Sequence, residues 1–257
     1  GGLTGSATKS DALWVNDVSF DDNGNMSTMK DSRGITRYEY DILGRLTKVT
    51  GPDGRWVAYE YDMVNNRTKM TTHSDSPAFN HITQYTYNNR NLLWKVYDQL
   101  AERDQNGNPT VNAKYTEYTY YPNGQVDEIR YPNGTKVKHV YNDRGWLTTI
   151  SNKKSNNTVI AEFTYSYDPT NWGNNGTRTQ VIENILKPDG NRISAKVDYE
   201  YDDMYRLVHE HRTPYNGGDP GAAYEHNYAY DAAGNRMTWQ VVGGNIQAQS
   251  SSQGPGY

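Results

Sequence analysis

Aromatic residues recur along this chain in pairs two positions apart, each pair enclosing a polar residue and followed by a bend signal. Tyr38-Glu39-Tyr40-Asp41-Ile42-Leu43-Gly44-Arg45-Leu46 shows the unit in full. On a strand Tyr38 and Tyr40 share one face and Glu39 takes the other, which predicts a half-buried antiparallel strand. Asp41 then opens a turn, because its carboxylate can accept a backbone N–H two residues on. Gly44 falls where the chain needs a positive φ, and Arg45 to Thr50 reads as the returning strand, with Leu46 and Val49 among its apolar residues.

The pattern repeats at nine anchors: Phe20, Tyr40, Tyr61, Tyr87, Tyr120, Tyr141, Tyr167, Tyr201 and Tyr230. A recurring unit is the sequence signature of a repeat architecture. Four residues after them stand Gly24, Gly44, Asn65, Asn91, Gly124, Gly145, Asn171, Tyr205 and Gly234. Glycine and asparagine tolerate a left-handed backbone and tyrosine does not, so the turn at Tyr205 is expected to differ in shape. Met26, Leu46, Leu93, Val126, Leu147 and Leu207 supply an apolar residue two positions further on. The units at Asn66-Arg67 and Asn235-Arg236 lack it, and a bulge bringing in Met70 or Met237 is expected there.

A second bend signal closes other hairpins: Gly51-Pro52-Asp53-Gly54, Tyr131-Pro132-Asn133-Gly134 and Lys187-Pro188-Asp189-Gly190. From Tyr40 the anchors at 61, 87 and 120 lie 21, 26 and 33 residues apart; from Tyr120 those at 141, 167 and 201 lie 21, 26 and 34 apart. A module of eighty-odd residues is therefore duplicated. Asp104 to Asn108, Asn152 to Asn157, Asn171 to Gly176 and Pro214 to Ala222 are expected to be longer surface loops. The organisation expected is a flexible segment 1–13, a repeat domain 14–242 of about nine hairpins, and a flexible Ser/Gln/Gly-rich tail 243–257. The fold class is all-β.

Composition changes this picture in one respect. A hydrophobic content of 34% and a mean hydropathy of −0.99 would suit a disordered chain. Yet there are 23 Tyr and 6 Trp, and Tyr buries a large ring while its hydroxyl stays bonded or hydrated. A net charge of −4 with scattered cations gives no footprint for nucleic acid or an anionic membrane. No apolar run approaches the length that spans a bilayer. The absence of cysteine excludes disulfides and thiolate metal sites and is compatible with export. Gly1 to Ser10 has no signal-peptide pattern, so the sequence is expected to be a piece of a longer chain.

These residues resemble the YD repeats of the Rhs (rearrangement hotspot) family, found in bacterial polymorphic toxins, Tc-toxin shell components and teneurins. Tyr38-Glu39-Tyr40-Asp41 with Gly44-Arg45-Leu46 matches the unit, and Tyr228-Ala229-Tyr230-Asp231 with Gly234-Asn235-Arg236 is the other common variant. The match runs from about Val18 to Trp239. The resemblance implies a long curved antiparallel sheet, an arc of a β-shell that in bacterial members encloses a C-terminal toxin. It also implies a self-cleaving core segment nearby. Asp168-Pro169 is superficially similar to an Asp-Pro there, but it lies inside an ordinary anchor, and that core is expected to lie outside this sequence.

Each candidate chemistry has a plainer reading beside it. His209-Glu210-His211 puts two imidazoles on one strand face, half of a metal site, with His226 as a third ligand if its strand is adjacent; a solvated strand face is the plainer reading, and no metal or other cofactor is expected. Asp21 to Asn25 and Asp104 to Asn108 hint at calcium loops but lack a closing bidentate glutamate, and both read as turns. Glu39, Glu60 and Glu200 could pair as glycosidase carboxylates. They occupy one repeated position, which suits cross-strand partners of Lys or Arg better. Of Trp14, Trp56, Trp94, Trp146, Trp172 and Trp239, Trp172 stands in a loop and is the aromatic placed to meet a glycan.

The expected function is therefore architectural and not enzymatic. It is a wall segment of a secreted or cell-surface Rhs-type protein whose partners are a toxin cargo and neighbouring repeats. Association between copies through open sheet edges is expected with it. The alternative is an adhesin or carbohydrate-binding module using exposed aromatics.

Overall fold

The computed structural model describes residues 17–75, 80–98, 101–167, 176–219, 221 and 223–242. The expected terminal segments 1–13 and 243–257, together with Trp14, Asp168-Pro169, Asn171 and Trp172, lie outside them. The chain divides into two compact units, 1–117 and 118–257. Among the described residues the regular structure is all β-strand, and every registered strand pair is antiparallel and joins neighbours in sequence.

The first unit contains β1 (Asp17–Phe20), β2 (Met26–Asp31), β3 (Gly34–Tyr40), β4 (Leu46–Thr50), β5 (Trp56–Tyr61), β6 (Arg67–His73), β7 (His81–Tyr87), β8 (Leu93–Tyr97) and the start of β9 (Thr116–Tyr120). The second contains the rest of β9 and β10 (Val126–Arg130), β11 (Lys136–Tyr141), β12 (Leu147–Lys153), β13 (Val159–Tyr167), β14 (Arg178–Leu186), β15 (Arg192–Tyr201), β16 (Leu207–Pro214), β17 (Tyr224–Tyr230) and β18 (Arg236–Val242).

Within each unit strands touch only their sequence neighbours, so among the described residues no second sheet covers either face. The buried hydrophobic side chains are accordingly few: Ala101, Ala113, Val181, Ala195 and Val197. Most strand residues are half-buried. The units are held by ladder hydrogen bonds and by cross-strand pairs, each worth about 0.2–1 kcal/mol.

One turn recurs. Asp41 N–H donates to the Arg45 carbonyl at 2.9 Å and Gly44 N–H to the Asp41 carbonyl at 2.9 Å. This is a three-residue hairpin loop with its left-handed residue last. The same pair of bonds closes the loops at Asp21, Asp62, Asn88, Tyr121, Asn142, Asp202 and Asp231. The Pro-containing bends at Gly51, Tyr131 and Lys187, on the other rim, close in the same way. Gly24, Gly44, Asn65, Asn91, Gly124, Gly145 and Gly234 all have positive φ, as expected.

Four expectations change. Tyr205 also sits at φ 61° in a turn of the same shape, with Tyr205 N–H to the Asp202 carbonyl at 2.9 Å. The Asp202 carboxylate, bound by the N–H groups of Met204 and Arg206, holds a conformation that tyrosine alone disfavours. The bulge is general and not confined to two units. Register shifts at Phe20, Tyr40, Tyr61, Tyr87, Tyr141, Tyr167, Tyr201 and Tyr230, which leaves Arg67 and not Met70 opposite Tyr61. Asn152 to Asn157 is no long loop: β12 continues to Lys153, and Lys154 to Thr158 makes the common turn. Residues 215–219 fold back on β15 instead of projecting, through Tyr215 N–H to the Ser194 carbonyl at 3.0 Å and Ser194 N–H to the Asp219 carbonyl at 2.7 Å.

Candidate functional site

The feature repeated most faithfully is the junction between successive hairpins. Tyr40 donates its hydroxyl to the Met26 carbonyl at 3.0 Å, Tyr61 to Leu46 at 2.8 Å and Tyr87 to Arg67 at 2.9 Å. In the second unit Tyr167 donates to Leu147 at 2.6 Å, Tyr201 to Arg178 at 2.8 Å and Tyr230 to Leu207 at 2.8 Å. Each acceptor is the first residue of the preceding strand, so each ring bridges its own hairpin to the one before. Burial pushes the Tyr87 and Tyr201 hydroxyls up from the ordinary tyrosine range, keeping them protonated donors. Tyr121 reaches forward instead, its hydroxyl donating to the His139 carbonyl within β11 at 3.0 Å.

The turn acids work locally. Asp41 Oδ1 accepts the N–H groups of Leu43 and Arg45, and Arg45 Nε returns to Asp41 Oδ2 at 2.7 Å. These bonds, the Arg45 N–H first, hold the Asp41 carboxyl below the usual carboxylate range. Asp202 and Arg206 repeat the arrangement. The Asp21 and Asp104 carboxylates are likewise spent on their own loops, through Asn23 and Asn25 and through Asn106 and Asn108. The geometry there is that of the turn reading, not of an open calcium loop.

The singled-out glutamates face cross-strand partners. Glu39 lies 3.5 Å from Lys48 and Glu60 2.9 Å from Lys69, while Glu200 faces His209 at 3.5 Å. None of these pairs is a second carboxylate. His209 and His211 do share a face, with ring centroids 6.0 Å apart. His226 does not join them: it pairs with Glu210, whose side chain alternates to the opposite face, and its ring stacks on Tyr224 at 4.4 Å. Among the described residues no group of three or more His, Cys, Asp or Glu side chains is placed to hold a metal ion.

Two features had no signal in the sequence. On the tyrosine face of the second unit Arg212, 8% exposed, binds Glu183 at 2.6 and 3.0 Å, and Glu210 accepts the hydroxyls of Tyr224 and Tyr228. Burial and the Glu210 charge push the Tyr199 hydroxyl up to about 12. Glu183 and Arg212 are 29 residues apart, and only the three-strand register brings them together. In the first unit the turns at Asp41 and Asp62 expose Ile42 (101%), Leu43, Met63 (97%) and Val64 on one rim. Arg45 Nη1 links these two turns through the Asp62 carbonyl at 2.8 Å and Asn65 Oδ1 at 3.1 Å.

A ladder of like hairpins, most of them tied by an aromatic hydroxyl to the one before, defines a class: a β-repeat protein whose recurring residues are structural. The sequence model of the RHS Repeat family matches residues 20–55 and 43–78, and the chain belongs to the Rhs-repeat family. It is 31% identical over 234 residues to the tRNA3(Ser)-specific nuclease WapA of Bacillus spizizenii, covering 84% of this chain and 9% of that protein. To the tRNA nuclease WapA of Bacillus subtilis it is 30% identical over 233 residues, again 84% and 9%. The chain therefore spans about a tenth of the length of the curated relatives it matches. Among solved structures it resembles a chain of the TcdB2-TccC3-Cdc42 crystal structure, with a TM-score of 0.50, 15% identity, and coverage of 86% of this chain and 13% of that one.

Proposed function

We propose that this chain is a non-catalytic wall segment of a larger secreted or cell-surface Rhs-type protein, part of a shell that encloses or presents a C-terminal toxin. The observation that carries this reading is the tyrosine hydroxyl bridge between successive hairpins. It links six of the repeats to the one before and so lets a single-layer sheet grow without a conventional core. The bridging residues recur, whereas a catalytic constellation is singular. The apolar rim at Ile42, Leu43, Met63 and Val64 gives such a wall a surface for neighbouring repeats. The nuclease names of the relatives belong, on this reading, to parts of those proteins that this chain does not match.

Two measurements test it. The isolated chain incubated with tRNA should leave the RNA intact; cleavage would overturn the non-catalytic reading. In the full-length parent, the C-terminal segment should resist protease while the ladder is intact and become sensitive in a Tyr61→Ala/Tyr201→Ala variant. Equal sensitivity in both would overturn the enclosure.

A further inference from the structure

We infer that Asn216 is a site of spontaneous deamidation, through a succinimide formed with Gly217, and that the isoaspartyl product releases residues 215–219 from β15. Five Asn-Gly pairs lie among the described residues: Asn23-Gly24, Asn106-Gly107, Asn123-Gly124, Asn133-Gly134 and Asn216-Gly217. All five asparagines are exposed. A following glycine leaves the reacting nitrogen uncrowded in every case, so the sequence does not rank them. The turns do. In the first four pairs the asparagine is the third residue of the bend and the glycine the fourth, and the glycine N–H donates across it. Gly24 reaches the Asp21 carbonyl at 3.0 Å, Gly107 Asp104 at 2.9 Å, Gly124 Tyr121 at 3.0 Å and Gly134 Tyr131 at 2.9 Å. The bend that starts at Tyr215 is one residue out of step. Asn216 is second and Gly217 third, at φ 49° and 70°, and the crossing bond comes from Gly218, to the Tyr215 carbonyl at 3.0 Å. Among the described residues neither the Gly217 N–H nor the Asn216 carboxamide has a hydrogen-bond partner, and both residues are exposed.

The reaction needs that nitrogen. Solvent base removes the Gly217 amide proton, the nitrogen bonds to Asn216 Cγ, and the Cγ–Nδ2 bond breaks, Nδ2 taking a proton from solvent and leaving as ammonia. Water then opens the five-membered imide. Attack at Cγ gives aspartate; attack at the backbone carbonyl gives an isoaspartyl link that runs the chain through Cβ and Cγ. In the other four pairs the same nitrogen must first give up a hydrogen bond worth about 0.5–1.5 kcal/mol, which slows the step roughly two- to tenfold.

The consequence follows from how this turn is seated. Tyr215 N–H donates to the Ser194 carbonyl at 3.0 Å, and Ser194 N–H to the Asp219 carbonyl at 2.7 Å. Between those two contacts Gly218 comes so close that an added Cβ would stand 2.5 Å from Ser194 Cβ. An isoaspartyl residue puts one more backbone atom, and a new carboxylate, into that span. The two bonds then no longer close on Ser194 together, and the segment leaves β15.

The test incubates the folded chain at mildly alkaline pH and follows each pair by the mass of its tryptic peptide, the five pairs falling in five different peptides. Labelling by an isoaspartyl methyltransferase identifies the linkage. Asn216 should convert first, about fivefold ahead of the other four. In urea all five should convert at similar rates, because only the fold separates them. Hydrogen exchange should then show the Ser194 and Tyr215 amides opening in the aged chain. They should stay protected in aged Asn216→Gly, which keeps the positive φ without the carboxamide. Asn216 converting no faster than the others, or a lead that persists in urea, overturns the site. Conversion to the isoaspartyl form with Ser194 still protected overturns the release.

Discussion

The Arg45 guanidinium lies 4.8 Å above the ring of Tyr61, in the next hairpin, while its Nε is held by Asp41 in its own. Arg206 sits 4.8 Å over Tyr230 and binds Asp202 in the same way in the second unit. One side chain thus serves a turn, a stacking contact and the neighbouring turn's carbonyl. A planar fork can do this and an ammonium cannot. Arg45→Lys should therefore cost about 1–2 kcal/mol, from the weakened stack and the lost second hydrogen bond. Urea unfolding of the first unit would show it as a lower midpoint. An unchanged midpoint would mean that the stack contributes nothing.

The hydroxyl bridges predict a graded series. Tyr61→Phe and Tyr201→Phe keep the ring and remove the donors to Leu46 and Arg178. Each should cost about 1 kcal/mol, the usual net value of such a bond plus the carbonyl it leaves short of a partner. Tyr59→Phe is the control, since Tyr59 is two residues before an anchor and its hydroxyl takes no part in a bridge. Equal losses at Tyr59 and Tyr61 would show that ring packing, not the bridge, sets the effect.

Turn backbone gives a prediction of opposite sign at two like positions. Gly44, at φ 75°, has room for a side chain, its nearest neighbour to an added Cβ being Asn25 Oδ1 at 3.8 Å, so Gly44→Val should lose only what the backbone costs, about 1–2 kcal/mol. Tyr205 already bears such a cost, so Tyr205→Asn should raise stability by about 1 kcal/mol. Thermal melts of the two variants should move in opposite directions.

These positions show what could be read from the sequence and what could not. Tyr40, Asp41 and Gly44 announced strand, turn and left-handed residue because each acts within five positions of itself. The carbonyl that Tyr40 binds could not be read, since it depends on which strand lies alongside. The side on which His226 falls depends on the register of β17 against β16, which follows the fold-back of residues 215–219 onto Ser194 and has no local signal. Tyr205 misled because composition alone suggested another turn, whereas the Asp202 carboxylate imposes the common one.

The turn carboxylates make acid the weak side of the fold. Asp41 and Asp202 are held below 3.8 chiefly by the N–H groups of Arg45 and Arg206, and Asp21 and Asp231 chiefly by the side-chain amides of Asn25 and Asn235. A folded-state pKa below the unfolded one means stability that is present above 3.8 and lost as pH falls through the lowered values. Midpoints should stay level from neutrality down to the ordinary carboxylate range and then drop. Asp41→Asn, which keeps an acceptor but cannot titrate, should shallow that drop. A variant profile parallel to the parent's would assign the acid loss to other groups.

Three cations stand abreast on one rim of the second unit: Arg130 pairs with Lys136, and Lys136 with Lys153. Like charges directly opposite each other on a sheet are destabilising. Arg130 is relieved by Glu128 at 2.7 Å, whereas among the described residues Lys136 and Lys153 form no ion pair. Lys136→Glu would place a carboxylate between two cations and turn both repulsions into attractions. The gain should be about 0.5–1 kcal/mol at low salt and shrink as ionic strength rises, because an exposed row is screened within a Debye length. Melting at low and high salt measures both parts. A gain that ignores salt would point to strand propensity or packing at position 136, and a loss would mean that the lysine stem packs on the sheet more usefully than its charge harms it.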